Sequence, residues 1–243
     1  ETPIATISDP VDVFGSLTMT QSISCTDDLE LLLTANGGTG PYSYSTDGVS
    51  FMPFNSGNQH VFNSLPSGNA GAGTYRYYVQ DAFNCTSILS NEVTADTVEP
   101  IVITIDASAA SVNCSGDNSA ILIARGSGGL GNYQYELLDS PTSTTPLQGP
   151  SANGVFRNLI AGDYYVKVSS GDCEAISAII TVTEPAPLVY TDDYSAMICF
   201  GENTGYINVS LSGGSGNYQY AISPNLAQFD DINQFDNLAP GTY

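Results

Sequence analysis

The chain has 243 residues, enough for two or three small domains, and at 42% hydrophobic it can bury real cores. Twenty-five acidic residues stand against four basic ones (Arg76, Arg125, Arg157, Lys167), a net charge of −21. A polyanion of this kind repels nucleic acid and anionic lipid, which excludes both as direct partners.

No apolar run approaches the ~18 residues of a membrane helix, and Glu1 opens without the basic and apolar regions of a signal peptide. No membrane insertion is expected. Short alternations of Val, Ile, Tyr, Thr and Leu, broken by Gly, Pro, Asn and Asp clusters, predict an all-β protein.

In chain order, the first element is "PIATISDP", ending at Pro10. It resembles "AIITVTEP", ending at Pro185, so residues 1–9 read as the last strand of a preceding repeat. From Cys25 runs "CTDDLELLLTAN", with Leu31, Leu33 and Ala35 two apart, one face of a strand. The loop "GGTGPYSY" follows, with Gly37, Gly38, Gly40, Tyr42 and Tyr44, and then "FNSLPSGNAGAGTY", ending at Tyr75.

The same series returns twice. From Cys114 comes a strand carrying Leu122, Ala124 and Gly126, then "GGLGNYQY" with Gly128, Gly129, Gly131, Tyr133 and Tyr135, then "FRNLIAGDY" ending at Tyr164. From Cys199 comes a strand carrying Ile207, Val209 and Leu211, then "GGSGNYQY" with Gly213, Gly214, Gly216, Tyr218 and Tyr220, then "FDNLAPGTY" ending at Tyr243. Pro10 to Pro100 is 90 residues and Pro100 to Pro185 is 85, a period that suits an independent β-sandwich rather than a solenoid unit.

The expected organisation is repeat 1 over 10–99, repeat 2 over 100–184 and a truncated repeat 3 over 185–243. The chain therefore reads as a piece of a longer array. About seven short antiparallel strands in two packed sheets are expected per repeat. The L-x-x-G-x-Y element resembles the tyrosine corner of immunoglobulin-like and fibronectin-like domains, in which the hydroxyl bonds back to nearby backbone. The repeated glycines and tyrosines read as a structural joint rather than a binding loop.

Five cysteines occupy two repeat positions: Cys25, Cys114 and Cys199 open repeats, and Cys85 and Cys173 close them. The expected pairing is within repeats, Cys25–Cys85 and Cys114–Cys173, with the partner of Cys199 beyond Tyr243. Such bonds imply an oxidising compartment and an exported protein. A cysteine-based metal site is not expected, because no CxxC spacing occurs and His60 is the sole histidine.

The run C-x-G-[DE]-N-x-[AG] at Cys114 and Cys199, then GG-x-G-[PN]-Y-x-Y, then N-L-x-x-G-x-Y and a closing Cys, resembles the SprB-type repeat. Repeat 1 departs from it, since "CTDDLE" lacks the Gly and Asn and an insertion precedes Tyr75. The resemblance implies a non-catalytic segment of a large cell-surface adhesin filament of Bacteroidota, exported by the type IX secretion system and displayed extracellularly. It further implies adhesion to surfaces, gliding motility and contact with the secretion and gliding machinery. "DTV" at Asp96–Val98 fits the O-glycosylation pattern of that phylum, with Thr97 as acceptor.

No catalytic group is expected. Any histidine-dependent triad must use His60, which reads as an exposed loop residue found only in repeat 1. Asp117, Asn118, Glu202 and Asn203 offer hard oxygen ligands at matching positions and are the candidates for structural calcium, without EF-hand spacing. Two functions stand side by side. One is a stalk that holds a distal adhesive region. The other is a set of repeats that bind polysaccharide or another surface ligand through the variable stretches Tyr44–Phe62, Tyr135–Phe156 and Tyr220–Phe235.

Overall fold

The computed structural model describes residues 9–67, 71–195, 197 and 199–243. Among them the structure is all-β, without an α-helix. Of the N-terminal strand expected over residues 1–9, residues 1–8 lie outside the described residues, and Asp9 is not in a strand.

Repeat 1 holds β1 (Phe14–Gln21), β2 (Asp28–Asn36), β3 (Ser43–Ser45), β4 (Met52–Pro53), β5 (Gln59–Ser67), β6 (Gly73–Tyr75), β7 (Tyr78–Gln80) and β8 (Val93–Ala95). One sheet runs β1-β2-β5; β4-β3-β7 and the pair β6-β8 form the other side. Repeat 2 holds β9 (Val102–Asp106), β10 (Ala120–Ser127), β11 (Gln134–Leu138), β12 (Gln148–Ser151), β13 (Val155–Leu159), β14 (Gly162–Ser170), β15 (Cys173–Ile176) and β16 (Ile180–Val182). Its sheets run β13-β10-β9 and β12-β11-β14-β15, with β16 also on β14. Both repeats pair their first, second and fifth strands on one side. On the other, β6 and β7 of repeat 1 together take the place of the single strand β14 of repeat 2: β7 lies on β3 and β6 on β8, as β14 lies on β11 and β16. This is the antiparallel sandwich of immunoglobulin-like and fibronectin-like domains.

Alternation decides what is buried. In β2, Leu29, Leu31, Leu33 and Ala35 face inward while Glu30, Leu32 and Thr34 are half-exposed. They pack with Leu17 from one sheet and with Tyr44, Tyr77 and Val79 from the other. In repeat 2, Leu122 and Ala124 of β10 and Tyr164, Val166 and Val168 of β14 are buried likewise. Repeat 3 holds β17 (Val189–Tyr194), β18 (Gly205–Ser212) and β19 (Gln234–Leu238) in one sheet. No second sheet of repeat 3 covers it among the described residues, and Ile207, Val209 and Leu211 are only half-buried.

The F-x-N-L element contains a bulge. Phe156 and Leu159 are three apart, which on a regular strand sends them to opposite faces. Here Leu122 pairs with Phe156 and Ala120 with Leu159, so three residues of β13 span two of β10. Asn158 absorbs the extra residue at φ 57°, as does Asn237 in repeat 3. Asparagine tolerates this left-handed conformation better than most residues. Phe156 and Leu159 both reach the core, at 2% and 3% exposure.

The chain forms two compact units. The first is Glu1–Val102 with Gly126–Tyr133 and Val168–Ala175; the second is Ile103–Arg125, Gln134–Lys167 and Ile176–Tyr243. The first unit therefore takes in the glycine loop and the Cys173 hairpin of repeat 2.

Candidate functional site: the joints and the Cys25–Cys173 crosslink

The repeated Gly-Gly pair grips the chain segment that enters each repeat. Gly38 donates its N–H to the Val11 carbonyl (3.0 Å), Gly129 to Glu99 (2.6 Å) and Gly214 to Ala186 (2.7 Å). The preceding glycines, Gly37, Gly128 and Gly213, have φ of 69°, 79° and 81°. A Cβ on any of them would overlap the carbonyl oxygen of Asp12, Pro100 or Pro187 respectively, so backbone passes where a side chain cannot.

The tyrosines close the same joint. The hydroxyls of Tyr42, Tyr133 and Tyr218 donate to the carbonyls of Gly37 (2.8 Å), Gly128 (2.6 Å) and Gly213 (2.7 Å). Those of Tyr75, Tyr164 and Tyr243 donate to the carbonyls four residues upstream, Gly71 (2.8 Å), Ile160 (3.1 Å) and Ala239 (2.9 Å). That last set is the tyrosine corner. Tyr44 and Tyr135 turn their rings into the cores.

In repeats 1 and 2 one side chain, just past β7 or at the end of β14, pins the glycine loop. In repeat 1, Asp81 accepts the N–H groups of Thr39, Phe83 and Cys85. In repeat 2, the Ser170 hydroxyl accepts the Leu130 N–H (2.7 Å) and donates to the Gly131 carbonyl (2.6 Å). Neither residue stands out in the sequence; the matching step from Tyr75 to Asp81 and from Tyr164 to Ser170 is the signal that marks them.

The disulfide differs from the expected pairing. Cys25 bonds Cys173, while Cys85, Cys114 and Cys199 are free and exposed. Neither Cys25–Cys85 nor Cys114–Cys173 forms, and for the first the reason is one of length. Cys25 precedes β2, and Cys85 sits in the turn held by Asp81 against the loop that follows β2. A nine-residue strand spans ~30 Å, whereas bridged Cα atoms lie within ~7 Å. Cys25 and Cys85 thus stand at opposite ends of repeat 1, and Cys173 is taken by Cys25.

Around the crosslink, the Asp172 carboxylate is held by the loop that carries Cys25. It accepts the Ser24 hydroxyl (2.5 Å), the Thr26 N–H (2.8 Å), the Thr26 hydroxyl and, at 3.4 Å, the Cys25 N–H. The hydroxyls of Ser24 and then Thr26 hold its carboxyl well below the usual carboxylate range. No sequence signal joins Ser24 and Thr26 to a residue nearly 150 positions away. Cys25, Asp172 and Cys173 also form the metal-like cluster found among the described residues, but the two sulfurs are bonded to each other and offer no thiolates.

The remaining candidates are placed as follows. His60 is not a loop residue, which corrects the expectation: it lies on β5, half-buried, with ring centroids 4.2 Å from Tyr44 and 4.6 Å from Phe62. Burial lowers its pKa, and its Nδ1 accepts the Asn55 N–H (3.2 Å). The Asp117 carboxylate accepts the Asn118 N–H and the Ser119 hydroxyl, both at 2.8 Å, and Glu202 and Asn203 are exposed. Thr97 is exposed in the connection between β8 and β9. The variable stretch of repeat 1 carries a tight turn in which Asp47 accepts the N–H groups of Ser50 and Val49 and the Ser45 hydroxyl, lowering its pKa to about 2.

A family model described as the SprB repeat matches residues 197–227, which include Cys199, the glycine pair and Tyr218 and Tyr220. The chain carries a SprB-type repeat. No curated protein sequence matches it. Similar solved structures include Sidekick-1 immunoglobulin domains 1-5, at 12% identity and TM-score 0.35, covering 84% of this chain and 46% of that one. The fibronectin(III)-like modules of Clostridium thermocellum CbhA match at 13% identity and TM-score 0.30, covering 69% and 94%. The N-terminal eight Ig domains of Down Syndrome Cell Adhesion Molecule match at 10% identity and TM-score 0.27, covering 88% and 35%. The chain thus spans about half the length of the Sidekick-1 structure.

Proposed function

We propose that the chain is a non-catalytic extracellular stalk: tandem repeats of a large cell-surface adhesin filament that hold a distal adhesive region away from the cell. Export by the type IX secretion system and service in gliding motility belong to the same reading. The observation that carries it is the fate of the recurring residues. Of the nine tyrosines that recur at matching positions, six close their hydroxyls onto backbone carbonyls four or five residues away and two, Tyr44 and Tyr135, turn their rings into the cores, while the glycine pairs hold the entering chain. What the repeats have in common is therefore joint and core, not exposed surface.

The SprB-type repeat and the disulfide, which fits an oxidising compartment, support the extracellular placement. Thr97, exposed in the connection after β8, is the proposed O-glycan acceptor, and an intact mass above that of the bare polypeptide is the expected finding for natively produced protein.

The test is retention of the chain on polysaccharide-coated surfaces. A stalk passes through unretained. Saturable retention that is lost on replacing the Asp47 turn or another variable stretch overturns the stalk in favour of ligand-binding repeats.

A further inference from the structure

The three free cysteines are of two kinds. Cys114 and Cys199 stand where Cys25 stands, each preceding the central strand of its repeat, β10 or β18. Cys85 stands where Cys173 stands, each a few residues past the side chain that pins the glycine loop, Asp81 or Ser170. The one disulfide joins a cysteine of each kind, taken from consecutive repeats. In repeat 1 a strand of nine residues separates the two kinds, so that repeat cannot close its own pair.

We propose that the cysteines of this array pair in a ladder, the opening cysteine of each repeat with the closing cysteine of the next. Cys114 takes the closing cysteine of repeat 3, Cys199 that of the repeat after it, and Cys85 the opening cysteine of the repeat before repeat 1. The occupant of each free position is thus a cysteine turn of a neighbouring repeat.

Two clefts mark these positions. Within the second unit, Cys114 lines an open cleft of about 430 Å3 with Asn113, Ser115, Leu188, Gly214 and Tyr218. This sets an opening cysteine beside the glycine loop of the following repeat. It is the place that the Asp172–Cys173 turn holds beside Cys25, next to the loop pinned by Ser170. Ser115 follows Cys114 as Thr26 follows Cys25, and so presents a hydroxyl for a carboxylate like that of Asp172. The sequence reaches Tyr243, the counterpart of Tyr164, and so does not include the counterpart of Cys173. Within the first unit, Cys85 lines a second cleft of about 440 Å3 with Pro10, Val11 and Ile88. Val11 and Ile88 there are 73% and 83% exposed, apolar surface suited to a docked loop.

Each rung forms by thiol–disulfide exchange with a small-molecule disulfide such as oxidised glutathione. One cysteine thiolate attacks that disulfide and releases one thiol. The second cysteine thiolate then attacks the mixed disulfide and releases the other. The protein loses two protons and two electrons, and the oxidant leaves as two thiols.

The test extends the full chain past Tyr243 with a copy of residues 165–184, which supplies repeat 3 with the sequence that follows Tyr164. After refolding in a glutathione redox buffer, blocking with iodoacetamide and non-reducing digestion, two crosslinked peptides are expected. They are Cys25–Cys173 and Cys114 with the appended cysteine, while Cys85 and Cys199 carry the alkyl group. In the Cys114→Ser variant the appended cysteine is expected to be alkylated and Cys25–Cys173 to persist. A second chain, residues 1–184 followed by another copy of 100–184, carries the same expectation on a repeat whose own sheets are complete. In either chain, a crosslink between the opening and closing cysteines of one repeat, or alkylation of the last closing cysteine while Cys25–Cys173 is formed, overturns the ladder.

Discussion

Gly128 and Gly131 share a φ of 79° yet differ in what surrounds them. A Cβ on Gly131 meets nothing within 4 Å, whereas one on Gly128 overlaps the Pro100 carbonyl. Gly131→Ala is therefore expected to cost about 1 kcal/mol for the left-handed backbone alone, and Gly128→Ala about 3 kcal/mol, because the entering chain must also move. Urea unfolding midpoints of the two variants check the difference; equal losses would remove the clamp from the account of the joint. Asp172 gives a second expectation at this scale. Its folded-state pKa is depressed by the Ser24 and Thr26 hydroxyls, so its stabilising share is present above the unfolded-state value of ~4 and is lost as pH falls below it. The Tm advantage of the native chain over Asp172→Asn should shrink steadily as pH drops from about 5 into the strongly acidic range. An advantage that is flat with pH means the carboxylate is not held as described.

At the scale of elements, the bulge in F-x-N-L is the device that lets two residues three apart enter one core. Asn158 makes it by adopting φ 57°. Asn158→Gly is expected to change stability by less than about 1 kcal/mol, since glycine adopts that conformation freely, while Asn158→Val should cost about 2–3 kcal/mol. Thermal melts of the two variants decide; if valine is tolerated as well as glycine, the left-handed residue is not what sets the register. The alternating strands were legible in the sequence because the period of two is local. The bulge was not, because the motif shows only that Asn recurs, and its role needs the register against β10 and β18.

At the scale of the whole molecule, the Cys25–Cys173 bond closes a sequence separation of 148 residues. Chain-entropy arguments put its contribution at about 5 kcal/mol as an upper figure. Cys25→Ser or Cys173→Ser should therefore lower the stability of the first unit strongly, and the two losses should not add. Cys85→Ser and Cys114→Ser should leave it unchanged in this chain, where both thiols are free. Denaturant unfolding of the four variants, followed by tyrosine fluorescence, makes the comparison. With 25 acids against four bases, the chain carries a net charge of −21, so copies of it repel one another at low salt.

The amino-acid sequence by itself determined the β class, the recurrence of one motif series, the inward faces of β2 and β10, and the tyrosine that bonds back to its own turn. Each of these rests on short-range regularity: a period of two, a recurring motif, a residue bonding four positions away. Only the tertiary structure decided which cysteines meet, where Asp172 is held, and that His60 lies against Tyr44 and Phe62 rather than in a loop. Those facts depend on which end of a strand a loop occupies. A strand of nine residues carries two neighbouring loops some 30 Å apart. Residues 25 and 85 are therefore separated by the length of the sandwich, while residues 25 and 173 are brought together.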